Sequence, residues 1–238
     1  MTSTADAVVS RPRGISIGQA LRSAAVDFYF NSWRFVPANL AWAIGLVVVL
    51  LAAVIWTPAL LLGVFLAAPL AGMHRMAAQL TRGEAASLSD FVEGTRRFGL
   101  HATGLLAGAA MLATVLVTNL VTGFGSDSPL GWFVGATALW GLVALAMYLI
   151  ALWPMLVDPK HERLPLRRRV QLAGLVVIGR PARLFLLTVL IAAVLVASTA
   201  LLGVIVLVGV AYASLLATRW VLPAADELEA RYEAARAR

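Results

Sequence analysis

Cysteine is absent from this 238-residue chain, and charged residues are scarce. Without cysteine the chain has no disulfide, no thiolate metal site and no cysteine nucleophile. Only 13% of the residues are charged, whereas 61% are hydrophobic. A soluble domain is about a quarter charged, so this chain has too few charged side chains to cover a water-facing surface. The composition predicts a protein of the lipid bilayer.

Familiar catalytic motifs are missing as well. The sequence contains no GxxxxGK[ST], HExxH or GxSxG segment, which are the signatures of P-loop nucleotide binding, zinc proteases and serine hydrolases. We interpret His74, His101 and His161 as isolated side chains, with a two-histidine site at His74 and His101 as the alternative. No Asp, Glu, Lys or Arg lies in the middle of an apolar run, which argues against ion coupling. We expect no enzymatic activity, no cofactor and no metal.

Long uncharged runs predict an all-α, polytopic membrane bundle of six transmembrane helices. The last run, Leu184 to Thr218, has 35 uncharged residues, whereas one span needs about 20. Two spans with a turn near Ser198–Thr199 or Gly203 fit it better, and five spans in total is the alternative. The predicted spans are residues 35–56, 58–80, 100–122, 130–157, 182–198 and 201–222, between a disordered tail (1–14) and a cytoplasmic C-terminal helix (223–238).

The distribution of basic residues predicts the orientation. With six spans, all nineteen Lys and Arg residues fall on one side of the bilayer. Because cytoplasmic loops are enriched in these residues, we expect both termini in the cytoplasm. This bias also explains the formal net charge of +7, so we expect no nucleic-acid partner.

An amphipathic segment precedes each predicted pair of spans, at residues 15–31, 87–98 and 166–179. We interpret these segments as interfacial elbow helices, with Asn31 ending the first and a Ser87–Asp90 capping box opening the second. The chain then consists of three units of elbow plus hairpin, with chance similarity between amphipathic segments as the alternative.

Three arginines recur where an elbow meets its span: Arg34, Arg97 and Arg183. They are a candidate cytoplasmic site for an anion or a lipid headgroup. Ordinary anchoring by positive charge explains them equally simply.

Two asparagines lie within predicted spans and are costly to bury. Asn39 and Asn119, with Thr118, Tyr148 and Ser214, either hydrogen-bond neighbouring helices or line a polar cavity. The first interpretation is the simpler one.

Glycine pairs spaced four residues apart predict close helix contacts. Gly104/Gly108 and Gly131/Gly135 are candidate faces for a transporter subunit or a second copy of this chain.

Proline and tryptophan positions add local predictions. Pro37 should lie in the first turn of its span, where its missing N–H costs little, and Pro69 should kink the second span. Thr57 should be the N-cap of that span, with Pro58 next. Six tryptophans near span ends are typical of an interfacial aromatic belt: Trp33, Trp42, Trp56, Trp132, Trp153 and Trp220.

Several short motifs between residues 31 and 98 resemble the YesL-like family of bacterial integral membrane proteins. They are Asn39-Leu-Ala-Trp42, Thr57-Pro-Ala59, Arg82-Gly-Glu84 and Ser89-Asp-Phe91 followed by Arg96 and Arg97. The resemblance implies a helical protein of the bacterial plasma membrane, often associated with ABC-type carbohydrate uptake but without an established activity. This chain departs from the family pattern in being rich in arginine and nearly free of lysine.

Two functional hypotheses follow. The first is a non-enzymatic, transport-associated protein, either an accessory subunit or a small carrier. The alternative is a membrane scaffold or assembly protein that binds partner helices or lipid. A carrier needs a polar cavity near the bilayer midplane, whereas a scaffold can be solid inside.

Overall fold

The computed structural model describes residues 16–201 and 208–236, and this part of the chain is helical, without a β-strand. The α-helices are α1 (Ile17–Ile55), α2 (Ala67–Thr81), α3 (Leu88–Phe124), α4 (Pro129–Val157), α5 (Leu166–Gly179), α6 (Pro181–Ala200) and α7 (Val210–Arg236). Two 3₁₀ segments, Thr57–Leu66 and Pro159–His161, precede α2 and α5. The predicted all-α bundle is confirmed.

Five helical stretches are long and apolar enough to cross a membrane: Ile17–Ile55, Thr57–Thr81, Leu88–Phe124, Pro129–Val157 and Pro181–Ala200. They correspond to the first five predicted spans. The predicted tail, the possible turn at Gly203, residues 202–207 of the sixth span and residues 237–238 lie outside the described residues.

The first elbow and its span form one continuous helix. Asn31 does not end the elbow, because its side-chain Nδ2 donates to the Asp27 carbonyl of the same helix at 2.9 Å. Pro37 lies inside α1 and not in a first turn, so both predictions are wrong. Helix α1 begins instead at a Ser16–Gln19 capping box.

Proline distinguishes the third unit from the other two. The Ser87–Asp90 capping box is confirmed, and α3 then runs unbroken through the second elbow and its span. Only α5 ends before its span, at Arg180 (φ −144°, ψ 52°). Pro181 follows there, and a proline disfavours helical backbone in the residue before it. The corresponding positions, two residues before Arg34 and Arg97, are occupied by Ser32 and Thr95.

The second span is irregular in its first half. Trp56, and not Thr57, occupies the N-cap position, with Pro58 in the first turn of a ten-residue 3₁₀ segment. Such runs rarely exceed four residues. The backbone becomes α-helical at Ala67, so Pro69 lies in the first turn of α2 rather than at a kink within it.

Close packing of α2 on α3 depends on two glycines. An added Cβ at Gly72 would lie 2.5 Å from the Phe91 carbonyl oxygen, and one at Gly94 would lie 2.7 Å from Arg75 Cβ. The two helix backbones therefore approach more closely than any side chain would allow.

Helix α7 packs against α1, α2 and α4 and supplies much of the core. It passes through Pro223 without a break, so the predicted boundary between the sixth span and a separate C-terminal helix is wrong. Trp220 of α7 is fully buried, and Trp153 stacks on His74 with ring centroids 6.2 Å apart. These two tryptophans belong to the core and not to an aromatic belt.

Candidate functional site

One end of the bundle gathers the charged side chains, and we call it the charged end. It comprises the start of α1, the end of α2, the start of α3, the linker 158–165 and the final turns of α7. Ion pairs join these elements across the bundle.

Asp158 is the centre of the network. Its carboxylate is fully buried and accepts hydrogen bonds from Arg82 Nε at 3.0 Å and Nη2 at 2.5 Å, and from His161 Nδ1 at 2.6 Å. Burial raises the pKa of Asp158, but the hydrogen bonds from His161 and Arg82 outweigh it and lower the pKa to about 2. Asp158 is therefore a buried carboxylate held by Arg82 and His161.

His161 links the linker to α7. Its Nδ1 faces Asp158, and its Nε2 lies 3.0 Å from Glu229 Oε2 on α7. Burial lowers the pKa of this imidazole, but its hydrogen bonds to Asp158 and Glu229 raise the pKa above the ordinary value of 6.5. Two carboxylates beside an imidazole stabilise its protonated, positively charged form.

Asp226 completes the connection to α7. It accepts from Arg82 Nη1 at 2.5 Å and from Lys160 Nζ at 2.6 Å. Arg82 therefore bridges α7 and the residue that ends α4. We call Arg82, Asp158, Lys160, His161, Asp226 and Glu229 the α7 clasp.

The ligand atoms of His161, Asp226 and Glu229 lie within 4.8 Å of one another, so this group could in principle hold a metal ion. However, Lys160 Nζ already lies 2.6 Å from Asp226 and 3.3 Å from Glu229. A lysine ammonium thus supplies the positive charge that a metal would bring. We interpret the group as an ion-pair network that holds helices together.

A second ion-pair group surrounds Phe98. Arg75, Arg97 and Arg169 lie over its ring at 5.7–5.9 Å from the centroid. Glu162 pairs with Arg97 and, at 3.0 Å, with Arg75. This arrangement binds the linker to α2 and α3.

The three arginines predicted to form an anion site have different neighbours. Arg34 donates to Asn31 at 3.2 Å and stacks on Trp33. Arg97 pairs with Glu162, and Arg183 lies exposed beside Arg180. Their described contacts do not bring them into one ring.

The predicted polar residues divide into buried and exposed groups. Asn39 is fully buried, and its Oδ1 accepts from the backbone N–H of Ala211 in α7 at 2.9 Å. Ser214 is buried and donates to the Val210 carbonyl, whereas Tyr148 donates to the Val170 carbonyl at 3.3 Å. Asn39 and Tyr148 therefore connect neighbouring helices, whereas Ser214 bonds within its own helix.

Asn119 and Thr118 lie on the exposed side of α3. Thr118 donates to the carbonyl of Thr114 in its own helix. The amide of Asn119 has no hydrogen-bond partner among the residues that the structure describes. Asn39 and Asn119 therefore do not share a cavity.

The two glycine pairs also differ. An added Cβ at Gly104 or Gly108 would meet nothing within 4 Å, and both residues are exposed. By contrast, Gly135 packs against Phe124, and an added Cβ at Gly123 would lie 2.7 Å from the Gly131 carbonyl oxygen. The Gly131/Gly135 face therefore packs within the α3–α4 hairpin and is not open to another chain.

The α7 clasp was missed in the sequence, where residues 223–238 are interpreted only as a cytoplasmic C-terminal helix. Within this segment Glu227 pairs with Arg231 at 2.5 Å. A signal for the clasp was available in the acidic residues Asp226 and Glu229, which lie three apart on one helix face. Their partners, Arg82 and His161, are too distant in sequence to be inferred.

The fold and these contacts define an all-α protein with five helices suited to crossing a bilayer and an ion-paired end. Comparison with protein-family models, curated proteins and solved structures found no match. The arguments that follow therefore rest on the residues of this chain.

Proposed function

We propose that this chain is a non-enzymatic subunit of a larger assembly in the bacterial plasma membrane, and that the outer face of α3 binds a transmembrane helix of a partner. The observation that carries the proposal is the exposed, unpartnered amide of Asn119 in an apolar helix. An amide facing hydrocarbon is costly unless another helix supplies a hydrogen bond.

The surroundings of Asn119 support this role. No residue from 103 to 122 is buried, although this stretch is long enough to cross a bilayer. Exposed positions recur every three or four residues and form one stripe beside Asn119: Gly104, Gly108, Met111, Val115, Thr118 and Thr122. Small residues allow close approach of a second helix, and Asn119 would then add a polar contact.

The buried polar groups favour a partner-binding role over a carrier. Asn39, Ser214 and Thr218 are almost fully inaccessible. Asn39 bonds to the Ala211 backbone of α7, and Thr218 lies 3.3 Å from His74 Nδ1 of α2, so both connect α7 to a neighbouring helix. Ser214 donates to the Val210 carbonyl of its own helix. None of the three presents polar atoms to a solute. The resemblance to the YesL-like family favours a solute-uptake system as the assembly, with this chain as its accessory subunit.

Single-cysteine cross-linking tests the proposal cleanly, because the chain has no cysteine of its own. Met111→Cys places a thiol on the stripe, and Val117→Cys places one about 120° around α3. Both side chains are exposed, at 74% and 46%. We expect Met111→Cys to cross-link in native membranes and Val117→Cys to do so several-fold less.

Adding Asn119→Leu to Met111→Cys should reduce the cross-linked fraction, because the polar contact is lost while helix propensity is kept. Disulfide dimers of the chain would identify a second copy as the partner. Adducts formed with a bifunctional thiol–amine reagent and identified by mass spectrometry would identify a different subunit. Equal cross-linking at positions 111 and 117, unaffected by Asn119→Leu, would contradict the proposal.

A further inference from the structure

A basic groove lies where α5 passes into α6 and meets the end of α7. It has a volume of about 660 Å³ and is lined by residues 179–183 together with Glu227 and Arg231. Three arginines, Arg180, Arg183 and Arg231, face one glutamate in this groove. The lining therefore has a net charge of +2.

The ion pairs leave positive charge unmatched. Glu227 accepts from Arg180 and from Arg231, so one carboxylate serves two guanidinium groups. Arg180 Nη1 is buried and has no hydrogen-bond partner within residues 16–201 and 208–236. Arg183 is exposed and forms no ion pair with any described residue. Because Arg180 Nη1 is enclosed by protein atoms, the positive charge that an anion in the groove can reach is that of Arg183 and of Arg231, whose side chain is 71% exposed.

The start of α6 adds further donors. Helix α6 begins at Pro181, and no side chain caps its first turn. The free N–H groups of a first helical turn, together with the helix dipole, favour an anion. The open turn and the arginine side chains line the same groove.

The position of the groove indicates where the anion comes from. The apolar stretch of α6 starts at Leu184, directly after Arg183, and α6 is suited to crossing a bilayer. In a membrane, the groove would therefore lie at the level of the lipid headgroups. Arginine clusters at that depth recognise anionic headgroups.

We propose that this groove binds a phosphate group through Arg183 and the first turn of α6, within the excess positive charge that Arg180 and Arg231 supply. A phospholipid headgroup and free inorganic phosphate share this chemistry. Guanidinium groups match phosphate oxygens in geometry and charge. The site uses none of the residues of the α3 face, so it stands or falls independently of the proposed assembly.

Thermal unfolding of the full-length protein in a neutral detergent tests the site. Short-chain phosphatidylglycerol, short-chain phosphatidylcholine and inorganic phosphate are titrated separately at constant ionic strength. Binding to the folded state raises the unfolding temperature with ligand concentration. We expect phosphatidylglycerol to stabilise the protein more than phosphatidylcholine. Stabilisation by inorganic phosphate at low concentration as well would identify free phosphate as a ligand.

Two variants and a matched control locate the effect. Arg183→Gln removes an exposed guanidinium and should weaken apparent affinity by about tenfold, the loss expected for one charge-assisted hydrogen bond. Ala182→Glu brings a carboxylate into the groove and should abolish binding, while its charge suits the first turn of α6 and preserves folding. Arg167→Gln removes an exposed arginine of α5 outside the groove and should leave affinity unchanged.

Equal losses of affinity for Arg183→Gln and Arg167→Gln would show general charge attraction and overturn the proposal. Equal stabilisation by phosphatidylglycerol and phosphatidylcholine, or none by any probe, would overturn it too. Retained binding in Ala182→Glu would exclude the first turn of α6 from the site.

Discussion

At the scale of single residues, two asparagines in apolar helices have opposite surroundings. Asn39 is fully buried and bonded to Ala211, whereas Asn119 is exposed on α3. Both are equally polar, and neither neighbouring sequence indicates which one faces the core. Their roles depend on the helix that packs against each of them.

Asn39→Leu should destabilise the protein by about 1–3 kcal/mol, because the N–H of Ala211 is left buried without an acceptor. The measurement is thermal unfolding in detergent. Asn119→Leu is the matched control and should leave the unfolding temperature of the separate subunit unchanged or slightly higher. Similar destabilisation by both substitutions would contradict the assignment of the α1–α7 contact to Asn39.

His161 should make stability depend on pH. Because its pKa is raised above 6.5 in the folded protein, its contribution is fully present below pH 6.5 and is lost as pH rises through the folded-state pKa. Asp158 and Glu229 face the ring directly, and Arg82, Lys160 and Asp226 lie around them. Of these, Asp158, with its pKa near 2, stays ionised throughout this range.

The unfolding temperature of the unmodified protein should therefore fall as pH rises above 6.5, and that of His161→Gln should fall less. His101→Gln alters an exposed histidine and should keep the original slope. A slope that persists in His161→Gln would show that another group titrates in this window.

At the scale of elements, the contact between α2 and α3 has no room for a side chain at Gly94. Gly94→Ala should cost about 1–3 kcal/mol, because its Cβ would meet Arg75 Cβ at 2.7 Å and the Cα of Gly72 at 3.0 Å. Gly174→Ala in α5 meets nothing within 4 Å and should be neutral or stabilising, since alanine is the better helix former. Equal behaviour of the two variants in chemical or thermal unfolding would refute the close crossing.

The elements also show what local sequence can predict. The capping box at Ser87 was recognisable because its signal lies within a few residues. The boundary at Asn31 was wrong because an asparagine can cap a helix or bond to its own helix, as it does here. The close contact of Gly72 with Phe91 could not be foreseen, because the two residues lie nineteen positions apart.

At the scale of the whole molecule, the α7 clasp ties the last helix to α2 and α4, while the other end of α7 follows residues outside the described part of the chain. Topology tests whether α7 crosses the membrane. A thiol-reactive, membrane-impermeant reagent added to intact cells should label Ala200→Cys at the end of α6. It should leave Tyr232→Cys, which is 55% exposed, unlabelled until the cells are opened.

This result would support six spans with both termini in the cytoplasm, as the basic residues predict. Labelling of Tyr232→Cys in intact cells together with Ala200→Cys would place α7 outside and support five spans. Protection of Ala200→Cys together with labelling of Tyr232→Cys would favour five spans, with Leu184 to Thr218 as a single span.

The sequence by itself determined that the chain is an all-α bundle with long apolar helices, because crossing a bilayer is a property of consecutive residues and their mean hydropathy. It also located the polar groups within those helices. Only the tertiary structure decided that Asn39 is bonded while Asn119 is exposed, that Gly131 and Gly135 pack within a hairpin, and that Arg183 lies with Arg180 and Arg231. Burial and pairing depend on residues that are distant in the chain, and their distances are set only when the helices pack.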